Sequence, residues 1–432
     1  ELEHQLPRGF VLDAQVELVS DPGYLYTYGY SEKDRLTNRL SITRVRDKDL
    51  FRSSVTEFRT LRGSEIAIED TLPDQFVELY YQRDLPELAF GGKTVLSVES
   101  SALSRPSSTD VGGRDVSRIG TSLEWSKDHV FSLGAVSKVE IAARVDAYNV
   151  GQDSTFQDNL TRFVPRGAVE LRWPFARTTR DGGREILEPV IRVDVAEAGG
   201  DAVPLEDSTV VEFDEANLFS YTRYPGVDGV EDGARVALGV AWRRNDPGGH
   251  TFDFALGRVT RLDGDLGFGA GSGLQGDQSE LLLAARMGLS DGLFLTSRSL
   301  FDETFDLTLS ESRVDWATER FDIGSSYIFA VPEPSEGRTT RLSEWSFDGR
   351  YALNDRWTAS ADWRYDFTAD RAARTTFGLE YQNECIDVDF SVTRRYADSS
   401  AVDPTTDVGF RAVSYTHLRA HETWIQIADA VL

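Results

Sequence analysis

This chain of 432 residues has one cysteine, one methionine and no long apolar run. The single Cys385 rules out a disulfide within the chain. No stretch approaches the roughly 18 consecutive apolar residues that a membrane-spanning helix requires. Strand-built membrane proteins stay open, because a transmembrane barrel strand needs only ~10 residues with alternate positions apolar. Positive charge is also scarce: 46 Lys and Arg against 72 Asp and Glu leave a formal net charge of −26. Such a chain repels polyanions, so no nucleic-acid partner is expected. There is no initiator methionine or signal peptide. The chain enters a strand almost at once, so a fragment of a longer protein is expected.

What is present is alternation. Residues 189–196 place Ile191, Val193 and Val195 on one face and Arg192 and Asp194 on the other. Residues 357–367 do the same, with Trp357, Ala359, Ala361, Trp363, Tyr365 and Phe367 opposite Thr358, Ser360, Asp362, Arg364 and Asp366. A side-chain period of two is what a sheet with one apolar face requires. Similar segments, such as 9–19, 35–45, 130–136, 138–148, 234–243 and 304–314, recur along the chain. Turn pairs such as Asn354-Asp355 and Asp291-Gly292 separate them, giving about twenty expected strands. Open sheets rarely exceed ~10 strands, whereas large barrels do, and closure removes unpaired edges. The expected fold is therefore all-β, a large antiparallel transmembrane barrel of outer-membrane type. A soluble sandwich or solenoid is the alternative.

Between the strands at 189–196 and 234–242 lies an insert, residues 198–233, rich in Gly, Asp and Glu. It carries Phe213, Leu218, Phe219, Tyr221 and Tyr224 in its middle. A loop with its own aromatics is expected to fold back over the scaffold, against the barrel mouth or into the lumen. Its carboxylates could crowd a Ca²⁺ ion but lack ordered ligand spacing, so a solvated loop is the plainer reading. The tyrosines of SDPGYLYTYG, residues 20–29, fit an interfacial belt or an ordinary turn.

No catalytic constellation, cofactor site or metal site emerges. Ser122 and His129 lack the local setting of a nucleophile and its base. His417 and His421 stand four apart but have no third ligand. The run GDLGFGAGSGLQG, residues 264–276, has no lysine and no following helix, so it reads as a flexible hairpin loop rather than a phosphate cradle. From about Val413 the alternation stops, and VSYTHLRAHET resembles translated sequencing-adaptor DNA. Residues 1–412 are expected to be one barrel domain and residues 413–432 a non-native tail.

Three stretches carry a family resemblance: SDPGYLYTYG with residues 34–39, FDEANLF followed by RYPGVDGVEDGAR, and LEYQNECIDVDFSVTRRY. They resemble the barrel domain of LptD, the lipopolysaccharide-assembly protein of Gram-negative outer membranes. The resemblance implies a barrel incomplete at both ends that inserts lipopolysaccharide into the outer leaflet, without enzymatic chemistry. It implies the lipoprotein LptE as a lumenal plug, LptA and LptC as the periplasmic bridge, and outer-membrane lipid as surroundings. It also implies a disulfide from Cys385 to the absent N-terminal domain. Cys385 matches the second cysteine of a family pair, with Glu384 at the first position. A porin-like or receptor barrel for small solutes is the other functional reading.

Overall fold

The structure, a computed structural model, describes residues 2–22, 24–27, 31, 33–263, 268–269, 271–289, 291–334, 337–396 and 404–414. His417, His421 and the tail beyond Ser414 lie outside the described residues. Among the described residues, one sheet of 23 strands holds nearly everything. The strands are β1 (Leu2–Leu6), β2 (Phe10–Gln15), β3 (Arg35–Val45), β4 (Asp49–Thr60), β5 (Gln75–Asp84), β6 (Lys93–Ser104), β7 (Asp115–Val130) and β8 (Val136–Gly151). Next come β9 (Asn159–Arg172), β10 (Phe175–Thr178), β11 (Arg184–Ala196), β12 (Gly199–Gly200), β13 (Gly233–Asn245), β14 (Thr251–Arg261), β15 (Leu281–Leu289) and β16 (Leu293–Phe301). The last are β17 (Leu307–Ala317), β18 (Phe321–Ala330), β19 (Leu342–Ala352), β20 (Trp357–Asp366), β21 (Arg371–Gln382), β22 (Ile386–Arg395) and β23 (Thr406–Ser414).

Pairing is antiparallel between chain neighbours, as in β7 with β8 and β8 with β9. Short β10 continues the line of β9 against β11, and β12 continues the line of β11 against β9. Among the described residues β1 pairs only with β2 and β23 only with β22, so the sheet is open along that seam. This is the outer-membrane type of sheet expected, incomplete as a barrel.

Connections at one end are short, such as residues 46–48, 318–320, 353–356 and 383–385, while the other end carries long loops, such as 61–74, 105–114 and 197–232. Short turns at one rim and long loops at the other are the habit of outer-membrane barrels. The expected strand 130–136 proves to be one of the short turns. Val130, Phe131 and Leu133 imitate a strand, but Gly134 takes φ +82° and the Phe131 N–H reaches the Ala135 carbonyl at 2.8 Å. The alternation from 9 to 19 stops at Gln15, and Tyr24–Thr27 forms one helical turn. Much of the tyrosine cluster lies outside the described residues.

The faces are inverted relative to a water-soluble protein. On β8, Ile141 and Val145 point outward and are 57% and 54% exposed, while Asp146 points inward at 0%. The expected faces of β11 hold: Ile191, Val193 and Val195 are exposed, and Arg192 and Asp194 are buried. In water each such exposed side chain would forgo about 1.5–3 kcal/mol of burial. In lipid the outward face is satisfied and the charged face meets an aqueous lumen. Outward aromatics gather near the short-turn rim as pairs: Trp173 with Phe175 at 5.1 Å, Trp316 with Phe321 at 4.8 Å and Trp357 with Tyr381 at 4.9 Å between ring centroids. Rings of this kind mark a membrane interface.

Candidate functional site: a lumen filled by its own loop

The insert between β11 and β13 folds into the lumen. It is held at two levels, by charge and by shape. The inward faces of β7, β8 and β9 present Arg118, Tyr148 and Arg162, one strand apart. Asp228 of the insert receives all three. Its carboxylate pairs with Arg118 and accepts the Tyr148 hydroxyl at 3.0 Å. Its carbonyl accepts from Arg162 Nη1 at 2.5 Å, and the Val227 carbonyl accepts from Arg162 Nη2 at 2.9 Å. Arg162 is in turn fixed by Asp146 at 3.0 Å. A second pair lies within the insert: Arg223 and Glu231 are fully buried against each other, and Arg235 of β13 donates to the Glu231 carbonyl at 2.9 Å. Nearer the long-loop rim, Glu206 binds Arg105 and Arg114, both at 2.7 Å.

The shape contact is a notch. Gly239 on β13 and Gly257 on β14 face each other directly across the ladder. Leu218 fills the space where their side chains would stand, 3.2 Å from the Cβ position of Gly239. Around it Phe213 and Leu218 pack with Ala237, Val259, Phe268, Leu274, Leu282 and Leu300. This is a small apolar core inside a charged lumen. The Gly-rich run 264–276 is thus no free hairpin loop where it is described: Phe268 and Leu274 belong to this core, although residues 264–267 and 270 lie outside the described residues. The Arg166 guanidinium covers the Tyr221 ring at 3.7 Å, the geometry of a cation–π contact.

The insert's carboxylates are not a solvated cluster either. Asp207 and Asp228 meet Arg118, Glu206 meets Arg105 and Arg114, and Glu215 meets Arg298 at 2.8 Å. Guanidinium groups take the oxygens a Ca²⁺ ion would need. Burial pushes the Asp228 carboxyl above the usual range, aided by the nearby Asp207 charge and opposed by Arg118. Burial resists charge on Asp207 too, but N–H groups of Asp228 and Val227 and the Ser208 hydroxyl outweigh it and hold its pKa below the usual range. Glu215 also stays low: burial opposes its charge, and Arg298 outweighs the burial.

Space remains below the insert. A cavity of about 720 Å³ has Tyr221, Tyr224 and Phe219 as its roof and Glu140, Arg192 and Glu170 in its wall. Arg192 binds Glu140 at 2.5 Å and Asp194 at 2.9 Å, so this wall is a lattice of paired charges. The sequence pattern placed Arg192 on the polar face and marked the insert's aromatics, but not Arg118, Arg162 or Arg235. Their signal was there: Arg118, Arg162, Arg192 and Arg235 each stand alternate to an outward apolar residue.

The remaining candidates fall elsewhere. Ser122 and His129 sit on the same strand β7, seven residues apart, so their side chains leave opposite faces. Cys385 is exposed in the short turn between β21 and β22, where its N–H donates to Asn383 Oδ1 at 2.8 Å.

Comparison with known proteins adds an independent line. The family described as LptD, LPS transport system D, matches residues 2–338. The LPS-assembly protein LptD of Shewanella oneidensis is 25% identical over 249 residues, covering 55% of this chain and 32% of that protein. The LptD of Vibrio cholerae serotype O1 is 23% identical over 264 residues, covering 56% and 34%. The chain thus spans about a third of the length of the curated relatives it matches. Among solved structures, a ferric enterobactin receptor of Pseudomonas aeruginosa aligns with TM-score 0.39 at 9% identity, covering 88% of this chain and 71% of that one.

Proposed function

The chain belongs to the LptD family, and from that premise we propose that it forms the membrane barrel of a lipopolysaccharide-delivery machine in the outer membrane. In this reading residues 1–412 are the barrel domain and residues 413–432 are a non-native tail. The short-turn rim faces the periplasm and the long loops face outward. The observation that carries the reading is the lumen: charged walls around polar space, closed toward the long loops by the chain's own insert. A bulky sugar can be accommodated beside paired charges, and acyl chains can enter lipid along an open seam. An open pore for small solutes would need a free lumen, and the docked insert stands in its way. The task involves no bond-making.

The family premise supports three further assignments. LptE would occupy lumenal space from the periplasmic rim. LptA and LptC would hand over lipopolysaccharide to a periplasmic domain of the same chain. Cys385, at the periplasmic rim, would be disulfide-bonded to that domain, constraining the unfolded chain over a long loop. The test is replacement: a full-length protein carrying this barrel, expressed in cells depleted of their own LptD. Surface delivery of newly made lipopolysaccharide supports the reading. An inserted barrel with no delivery, yet with uptake of small sugars, overturns it.

A further inference from the structure

The lipid-facing side carries a groove that an even annulus of lipid does not explain. It measures about 510 Å³ and runs across β7, β8, β9 and β11. One cross-strand row supplies Thr94, Trp125, Ile141, Gly167 and Val195, each directly opposite the next. The next row supplies Leu123, Ala143 and Pro165. Gly167, Ala143 and Pro165 form a low floor between taller Trp125, Leu123 and Ile141 on one side and Val195 on the other. The proline has a local cause. β11 ends at Ala196 and β12 resumes at Gly199, so the ladder is interrupted opposite Pro165, where no N–H is needed.

One end of the groove is built differently. Loop 85–92 folds over the outer face there. Its Gly91 carbonyl accepts from Trp125 Nε1 at 3.0 Å and its Phe90 carbonyl accepts from Lys127 Nζ at 2.7 Å. Phe90 meets Trp125 edge-on at 5.4 Å. Beneath this strap Thr94 lines the groove; it is 5% exposed, and its buried hydroxyl has no hydrogen-bond partner among the described residues. A buried hydroxyl in an apolar trough calls for an acceptor from outside the chain. Lys127, on the same face as Trp125, brings a positive charge to this end of the groove at the short-turn rim.

We infer that this groove holds one acyl chain of a periplasmic-leaflet phospholipid, with the ester carbonyl accepting from the Thr94 hydroxyl and the phosphate beside Lys127. The acyl chain lies over Gly167, Ala143 and Pro165. A bound lipid here would brace the wall whose inner side carries Arg166 and Ala142, directly behind the docked insert. The inference rests on the outer-membrane orientation proposed above.

The test uses full-length protein in outer-membrane lipid, a phospholipid with a photoreactive group in its acyl chain, and peptide mapping after irradiation. Labelling should concentrate on the β8–β9 segment around Ala143 and Gly167. Gly167→Leu fills the floor, and the position tolerates a side chain, since its Cβ would meet nothing nearer than the Glu140 carbonyl at 3.9 Å. This variant should cut labelling there about tenfold, the equivalent of a tenfold loss in affinity, while labelling around Phe377 stays unchanged. Thr94→Val should weaken it in the same place. Uniform labelling that ignores Gly167→Leu overturns the inference, as does preferential labelling by photoreactive lipopolysaccharide. Heat-modifiable mobility of the same samples separates the two readings. An inserted barrel with uniform labelling sinks the groove alone, and a barrel that never inserts sinks the membrane orientation.

Discussion

The Tyr148 hydroxyl on the barrel wall donates to the Asp228 carboxylate on the insert at 3.0 Å, across 80 residues of sequence. Arg118 and Arg162 converge on the same aspartate. Removing the Asp228 carboxylate leaves buried Arg118 with Asp207 alone, at 3.2 Å, and takes the acceptor from the Tyr148 hydroxyl; breaking one side of a buried pair typically costs about 3–5 kcal/mol, an upper bound for this shared pair. Asp228→Ala should therefore undock the insert. Limited proteolysis of the folded barrel should then cut within residues 198–233, where the parent protein resists. Equal resistance in both proteins would show that this anchor does not hold the loop.

The glycine notch makes a prediction of shape rather than charge. Gly257→Ala puts a methyl where Leu218 now sits and 2.8 Å from the Leu238 carbonyl. Overpacking of this kind typically costs about 1–3 kcal/mol. Leu218→Ala in the same chain should relieve the side-chain part of the clash, leaving the Leu238 carbonyl contact, so the double variant should be more stable than the sum of the single effects. A denaturant or thermal double-mutant cycle checks this. Strict additivity would mean the notch and Leu218 do not meet.

Much of this was legible in the sequence, and the reason it stops is physical. Outward Ile191, Val193 and Val195 and inward Arg192 and Asp194 follow from period two alone, because neighbours on one strand decide them. The turn at 131–135 hid behind Phe131 and Leu133, which follow Val130 at the end of β7 and are apolar for the sake of a membrane rim rather than a strand. Phe268 and Leu274 looked like parts of a loose glycine loop, since their partners Val259, Leu282 and Leu300 lie on three different strands. The insert's acids looked solvated for the same reason. Arg118 stands 110 residues from Asp228, and no local pattern links them.

Acid should act on the insert late. Glu215 and Asp207 have depressed folded-state pKa values, so they contribute stability above their unfolded values, about 3.9 for Asp and 4.3 for Glu. That stability is lost only as pH falls through the lower folded values. Asp228 is raised and has the opposite sign: its protonation on the way down favours the docked form. Protease resistance of the insert should thus hold from neutral pH to about 5 and fail only below about 4. Release between pH 7 and 5 would contradict these assignments.

Cys385 yields a covalent prediction. The full-length protein should migrate differently before and after reduction, and Cys385→Ser should abolish the difference or remove one of its steps. Unchanged migration on reduction would leave Cys385 a free surface thiol.

The central claim is that apolar side chains face lipid and charged ones face an aqueous lumen. Two adjacent residues of β20 test it most directly: inward Ser360 and outward Ala361. With Cys385 replaced by serine, Ser360→Cys and Ala361→Cys are each labelled with a fluorophore in the membrane-inserted protein. Quenchers placed on lipid acyl chains should dim the label at 361 and spare that at 360, while a water-soluble quencher should do the reverse. Lipid quenching at 360 with water quenching at 361, or equal quenching at both, would contradict the account.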